Sequence, residues 1–270
     1  QGEPFAYEAG GRRGEPSAHL PPPAFVSFIQ NHDQIGNRAF GERLTTLATP
    51  EAARAVAAIY LLAPQVPMLF MGEEWGASQP FPFFCDFGPE LADAVREGRR
   101  AEFAHFPEFS DPAARERIPD PMAVTTFEAA RLAWQDTTHD VHREWLDWYR
   151  RILVVRRQAI VPLMAGIGGN AATFATHGNH GLDVVWRLGD GRRLMLAANL
   201  GDHERSGVTP PDGAIVWREG GIDGDRMAPW TVVWALAGRA DRGGNPGHGD
   251  DSAGIEGDAH EPGDDPGHEE

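Results

Sequence analysis

The sequence predicts an α/β unit followed by a compact all-β unit, and three observations point that way. Between Phe25 and Trp75 an apolar run, a polar cluster, a helix pattern, a second apolar run and a second polar cluster follow one another, as in a parallel βαβ unit. Beyond Gln158 the period changes to five short extended runs separated by turn residues, which predicts an antiparallel sandwich. Between the two lies an aromatic-rich helix pattern suited to a seam.

Taken in order, residues 1–23 are glycine-, proline- and polar-rich and end in "LPPP". Gln1 is not an initiator methionine and no basic-plus-apolar leader follows it, so the expectation is a chain that starts inside a domain. Phe25 to Gln30 reads as a short buried strand. Thr49 can cap a helix and Pro50 fits its first position, ahead of the apolar stripe in "EAARAVAAIYLL", and Pro64 and Pro67 stop it. Met68 to Met71 reads as the second strand. A helix is expected from about Pro89 to Phe106, with acids early and Arg99 and Arg100 late to complement its dipole. Another is expected from about His139 to Arg157, with Trp145, Trp148, Tyr149 and Ile152 on one face. The extended runs are "ATFATHG", "LDVVWRL", "RRLMLAANL", "AIVWREG" and "TVVWAL", and Gly189-Asp190-Gly191 marks a hairpin. The expected division is 1–157, 158–238 and a disordered acidic tail over 239–270.

Composition narrows the function classes. The 270 residues are 41% apolar, enough for a substantial core, and carry 24 basic against 40 acidic side chains for a formal charge of -16. That balance argues against nucleic acid or an anionic membrane as partner. Half of the charge lies in the tail, where ten acids face two arginines among many glycines, a solvated segment by composition. No apolar run approaches the roughly 18 residues of a spanning helix. The single cysteine, Cys85, rules out an internal disulfide and points to the cytoplasm. Zinc-spaced Cys/His sets, a phosphate-binding loop and a dinucleotide fingerprint are all missing, so no cofactor or metal is expected.

Chemistry is sought in the two polar clusters, because in parallel α/β folds reactive groups lie in the loops that leave strand carboxyl ends. In the first, Asp33 can stabilise positive charge developing in a sugar-like transition state, or it can cap a helix or pair with a base. His32 can donate to a substrate hydroxyl, Arg38 can clamp a hydroxyl or brace a carboxylate, and Asn31, Gln34 and Asn37 line the same turn. In the second, Glu73 and Glu74 cannot both point into one pocket. A structural role is favoured for both, with an arginine as the expected partner. Trp75, Phe81, Phe83 and Phe84 serve equally well as sugar platforms or as core.

The stretches "QNHDQIGNRAFGERL" and "PMLFMGEEWG", with "PFPFFCDF", "AVREGRR" and "IPDP...TFEAARLAW" downstream, resemble the malto-oligosyltrehalose trehalohydrolase family of the alpha-amylase superfamily. That resemblance runs from about Gln1 to Leu236 and is weaker in the β unit. It implies a partial TIM (β/α)8 barrel containing the last strands, followed by an antiparallel β-sandwich domain. It implies that Asp33 is the third essential carboxylate, that His32 binds substrate and that Gln34 and Arg38 line or brace the pocket. It places Glu73 near the end of the eighth strand. The family's nucleophile and general acid sit on earlier strands, expected before Gln1. The implied parent enzyme hydrolyses the α-1,4 bond next to a terminal trehalose unit of maltooligosyltrehalose. The piece itself is expected to be inactive without the missing barrel portion. A glucan branching enzyme and a noncatalytic carbohydrate-binding module are the alternatives.

Overall fold

The computed structural model describes residues 5–6 and 12–239. A short antiparallel pair opens the chain, β1 (Phe5–Ala6) and β2 (Arg12–Arg13). The βαβ unit follows as β3 (Val26–Ser27), α1 (His32–Gly36), α2 (Leu44–Leu47), α3 (Pro50–Leu62) and β4 (Val66–Pro67). β3 and β4 are parallel, with Val26 opposite Val66 and Ser27 opposite Pro67. The crossover is therefore the predicted one, but the second strand ends at Pro67, before the predicted Met68 to Met71, and the first pairs only at Val26 and Ser27, with Val26 exposed where a buried strand is predicted. The ladder bonds run from the Val66 N–H to Phe25 and from the Met68 N–H to Ser27. Pro67, which has no N–H to give, sits between these two donors, where a parallel ladder asks nothing of it. Beyond Ser27 the chain leaves the ladder because the Gln30 side chain is drawn inward, accepting from the Leu44 N–H at 2.8 Å and donating to Glu73 at 3.2 Å.

α3 forms as its sequence dictates. Thr49 Oγ1 accepts from the Ala52 N–H and Pro50 occupies the first turn, where its missing N–H costs nothing. Its other end is closed from a distance. Arg156 donates to the carbonyls of Leu61 at 2.8 Å, Ala63 at 2.7 Å and Gln65 at 2.6 Å, satisfying acceptors that the helix itself cannot.

α4 (Pro89–Glu102), α5 (Pro112–Glu116) and α6 (Val124–Ala129) lead to α7 (Asp140–Val155), which runs on into a π turn at Arg156–Ile160. The remaining strands are β5 (Ala172–His177), β6 (Gly181–Arg187), β7 (Arg193–Asn199), β8 (Ala214–Glu219), β9 (Ile222–Asp223), β10 (Arg226–Met227) and β11 (Thr231–Ala237). Five of them form one antiparallel sheet in the order β5-β6-β7-β11-β8, while β9 and β10 form a separate hairpin. The expected turn joins β6 to β7, with Gly191 at φ +88°, a conformation that favours glycine.

Alternation along β7 and β11 gives that sheet two apolar faces. One face carries Leu194, Leu196, Ala198, Val232 and Trp234 and shares a core with α3 and α7. Trp186 and Trp234 stack there with ring centroids 5.4 Å apart, and the Trp234 indole donates to the Ala58 carbonyl of α3 at 3.1 Å. Trp145, Trp148, Tyr149 and Ile152 are buried in the same core, so the aromatic stripe of α7 is packing, as its spacing predicts. Trp148 also donates to Glu219 of β8 at 2.7 Å. On the opposite face Ala197 and Val233 pack under Val208, Ile222 and Met227. The fold is thus mixed α/β, with a small parallel sheet, the remnant of a barrel, joined to an antiparallel β unit. The predicted tail falls, from residue 240 onward, outside the described residues.

Candidate functional site

Both polar clusters leave the carboxyl ends of the parallel strands. After β3, Asn31 takes the cap position of α1, and its Oδ1 accepts from the Gln34 N–H at 2.7 Å. The capping role open to Asp33 on sequence grounds therefore belongs to Asn31. Below the turn Ile35 is buried, which pins the inner face of α1. Above it His32 and Asp33 stand in water, each nearly three-quarters exposed, with His32 Nε2 3.5 Å from Asp33 Oδ1. Gln34, Asn37 and Arg38 are exposed beside them, and Arg38 Nε donates to Glu42 at 3.3 Å.

α1 is too short to hold itself, since five residues cannot offset the cost of nucleating a helix. Arg99 of α4 supports it. This buried guanidinium donates to the carbonyls of Gly36 at 2.6 Å and Arg38 at 2.8 Å, and lies over the rings of Phe103 and Phe83. Gly41, at φ +68°, closes the same loop against the backbone of Phe81 and Pro82, leaving no room for a Cβ.

The second cluster behaves differently. Glu73 is buried, and four donors converge on its carboxylate. They are the phenol of Tyr60, the phenol of Tyr149 at 2.9 Å, the Gln30 amide at 3.2 Å and the Phe70 N–H at 3.4 Å. Burial raises its pKa, and the donated hydrogen bonds oppose that shift without cancelling it. The expected arginine partner is replaced by phenols and an amide. Arg43, fully buried nearby, donates through Nε to the Gln79 carbonyl and through Nη1 to the Met71 carbonyl, and loss of water lowers its pKa. Trp75 is buried against the exposed ring of Trp134, with centroids 4.8 Å apart. The structure therefore separates the predicted residues into two groups. His32, Asp33, Gln34, Asn37 and Arg38 face solvent around one short helix, while Glu73 and Trp75 are internal and hold up the loop after β4. Arg99 and Tyr149, which the sequence marks only for a helix dipole and a packing face, and Tyr60 organise these groups, a role the sequence reading missed. The signals that were available were the late basic position of Arg99 in its helix and the need of a buried tyrosine for a polar partner.

The exposed group offers a carboxylate, an imidazole, two amides and a guanidinium over one arc, a set suited to hydroxyl-rich ligands. No group of three or more metal-ligating side chains occurs among the described residues, and none of their helices is long and apolar enough to cross a membrane.

Comparisons with known proteins bear on the family and the fold. Residues 169–234 match a family model described as a domain of unknown function, DUF3459. The chain is 43% identical over 199 residues to the malto-oligosyltrehalose trehalohydrolase of Deinococcus radiodurans, covering 72% of this chain and 31% of that protein. It is 39% identical over 239 residues to the enzyme of the same name from Mycobacterium tuberculosis, covering 86% and 38% respectively. The chain thus spans about a third of the length of these curated relatives. A crystal structure from Salmonella typhimurium, designated a candidate alpha amylase, superposes with a TM-score of 0.79 at 38% identity, covering 88% of this chain and 39% of that one. Repeated sequence similarity and a shared fold make the chain a homologue of part of the malto-oligosyltrehalose trehalohydrolases, within the alpha-amylase superfamily of glycoside hydrolases.

Proposed function

We propose that this chain supplies one wall of the active site of a trehalose-releasing glycoside hydrolase, with Asp33 as its transition-state stabiliser. Within a polypeptide of the relatives' length, Asp33 faces the sugar ring that is cleaved. Its negative charge offsets the positive charge that develops on the ring as the glycosidic bond breaks. His32 donates to a hydroxyl of the same ring, and Gln34 and Arg38 hold the loop and the neighbouring sugar. The nucleophile and the general acid belong to barrel strands outside this sequence, so the 270-residue chain alone turns over no substrate. The bond cleaved is the α-1,4 link next to the terminal trehalose unit of maltooligosyltrehalose.

The observation that carries this reading is the exposed His32–Asp33 pair at the end of a barrel strand, on a helix whose cap and buttress are other residues. A catalytic carboxylate needs that freedom from structural duty. The test is a polypeptide extended to the relatives' length and incubated with maltooligosyltrehalose. Release of trehalose is expected. New α-1,6 linkages without trehalose would replace hydrolysis by glucan transfer, and no conversion by a folded protein would overturn both.

A further inference from the structure

A cavity of about 680 Å³ lies between α1 and the segment that follows α4, beside the group just described. Its size falls within the roughly 300–1,000 Å³ of small-molecule sites. The floor is aromatic. Phe103 is buried there with Phe109 edge-on at 5.5 Å, and Phe40 lies 5.8 Å from Phe109. Phe106 stands at the mouth, 42% exposed, with the His105 ring 4.1 Å away from its own. The rim is polar and balanced in charge. Arg38 and Arg117 are matched by Glu42 and Glu108, and the Arg117 guanidinium lies 5.9 Å over the Phe40 ring.

We infer that this cavity is an accessory subsite for a glucosyl unit of an α-1,4-glucan. An anionic ligand would meet as many carboxylates as guanidiniums, in a chain whose formal charge is already -16. A purely apolar ligand would leave the rim charges to be desolvated without partners, which is costly. A neutral, hydroxyl-rich ring with an apolar face suits both layers, stacking on phenylalanine while its hydroxyls bridge donors and acceptors at the rim. Gln34 lines the cavity from the helix that carries Asp33 and Arg38 from the loop just after it, so a chain held at Asp33 passes directly to this floor. The inference rests on the glucan reading of the Asp33 group and adds Phe40, Phe106, Phe109 and Arg117 to it.

Isothermal titration of the 270-residue chain with maltoheptaose tests it, with cellohexaose as the β-linked control and thermal melting to verify the fold of every variant. The wild type should bind maltoheptaose and not cellohexaose. F106A should weaken binding about tenfold, and R117M, which keeps the aliphatic stem, about threefold, with melting temperatures unchanged. No binding by folded wild type, equal binding of the two sugars, or unchanged affinity in F106A would overturn the subsite. Should F106A fail to fold, unchanged affinity in R117M would do the same. Binding is read here without turnover. Absence of trehalose release by the longer polypeptide would therefore leave the subsite standing, and absence of binding would leave the role of Asp33 to its own assay.

Discussion

Glu73→Ala removes an acceptor on which four donors converge in the core beneath the site. The phenols of Tyr60 and Tyr149 and the Gln30 amide would stay buried, and each unsatisfied group costs about 1–3 kcal/mol. The two phenols can partly re-pair with each other, and the deleted carboxylate leaves a small void. The expected loss is therefore about 3–5 kcal/mol, or a fall of roughly 6–20 °C in melting temperature for a folded unit of this size. Glu73→Gln keeps the shape and one acceptor, and should cost about 1–2 kcal/mol. The pH dependence has a definite sign. Because burial raises the Glu73 pKa above 4.5, its contribution to stability is complete below that ordinary value and is lost as pH rises through the folded-state pKa. Glutamine does not titrate, so the gap between wild type and Glu73→Gln should be widest below the ordinary value and should narrow toward neutrality. Urea unfolding followed by circular dichroism at several pH values measures both quantities. A Glu73→Ala variant within about 1 kcal/mol of wild type would refute the hydrogen-bond account, as would a gap that widens with pH.

Three further outcomes are expected. Asp33→Asn, made in a polypeptide of the relatives' length, should lower kcat about 10²–10³-fold while its melting temperature stays unchanged, because Asp33 is exposed and caps nothing; near-wild-type turnover would remove it from the chemistry. Arg99→Met should cost about 2–3 kcal/mol and raise hydrogen exchange in α1 more than in α7, since the carbonyls of Gly36 and Arg38 lose their charged donor. Gly41→Ala should prevent accumulation of folded protein on expression, because an added Cβ would lie 2.2 Å from the Pro82 nitrogen on a loop at positive φ.

Legibility in the sequence follows the range of the forces involved. α3 could be read because its start is local, with Thr49, Pro50 and a run of alanines contiguous in the chain. The β6–β7 hairpin could be read because Gly189, Asp190 and Gly191 carry the turn within three residues. The short ladder between β3 and β4 could not be read, because apolar runs look alike whether or not their backbones pair, and it is Gln30, caught by Glu73 and Leu44, that takes the chain off the sheet. The Glu73 assembly was hidden for the same reason, since its phenols lie 13 and 76 residues away and no spacing announces them. The first polar cluster was legible as a set of polar side chains leaving a strand, but the division of labour within it was not. Which of Asn31 and Asp33 caps α1 depends on a backbone angle at Asn31 that either residue could adopt.

The way α3 is finished bears on how the molecule is made. Its last carbonyls are claimed by Arg156 and its middle by the indole of Trp234, partners 93 and 176 positions further along the chain. While a ribosome is still short of these residues, the helix that spaces β3 from β4 has its amino-terminal cap but neither of these distant contacts. The loop bearing Glu73 likewise waits for Tyr149. The two parallel strands therefore leave the ribosome well before the contacts that make them rigid. An exposed pair of apolar strands would in that interval depend on chaperones or on neighbouring chain for protection.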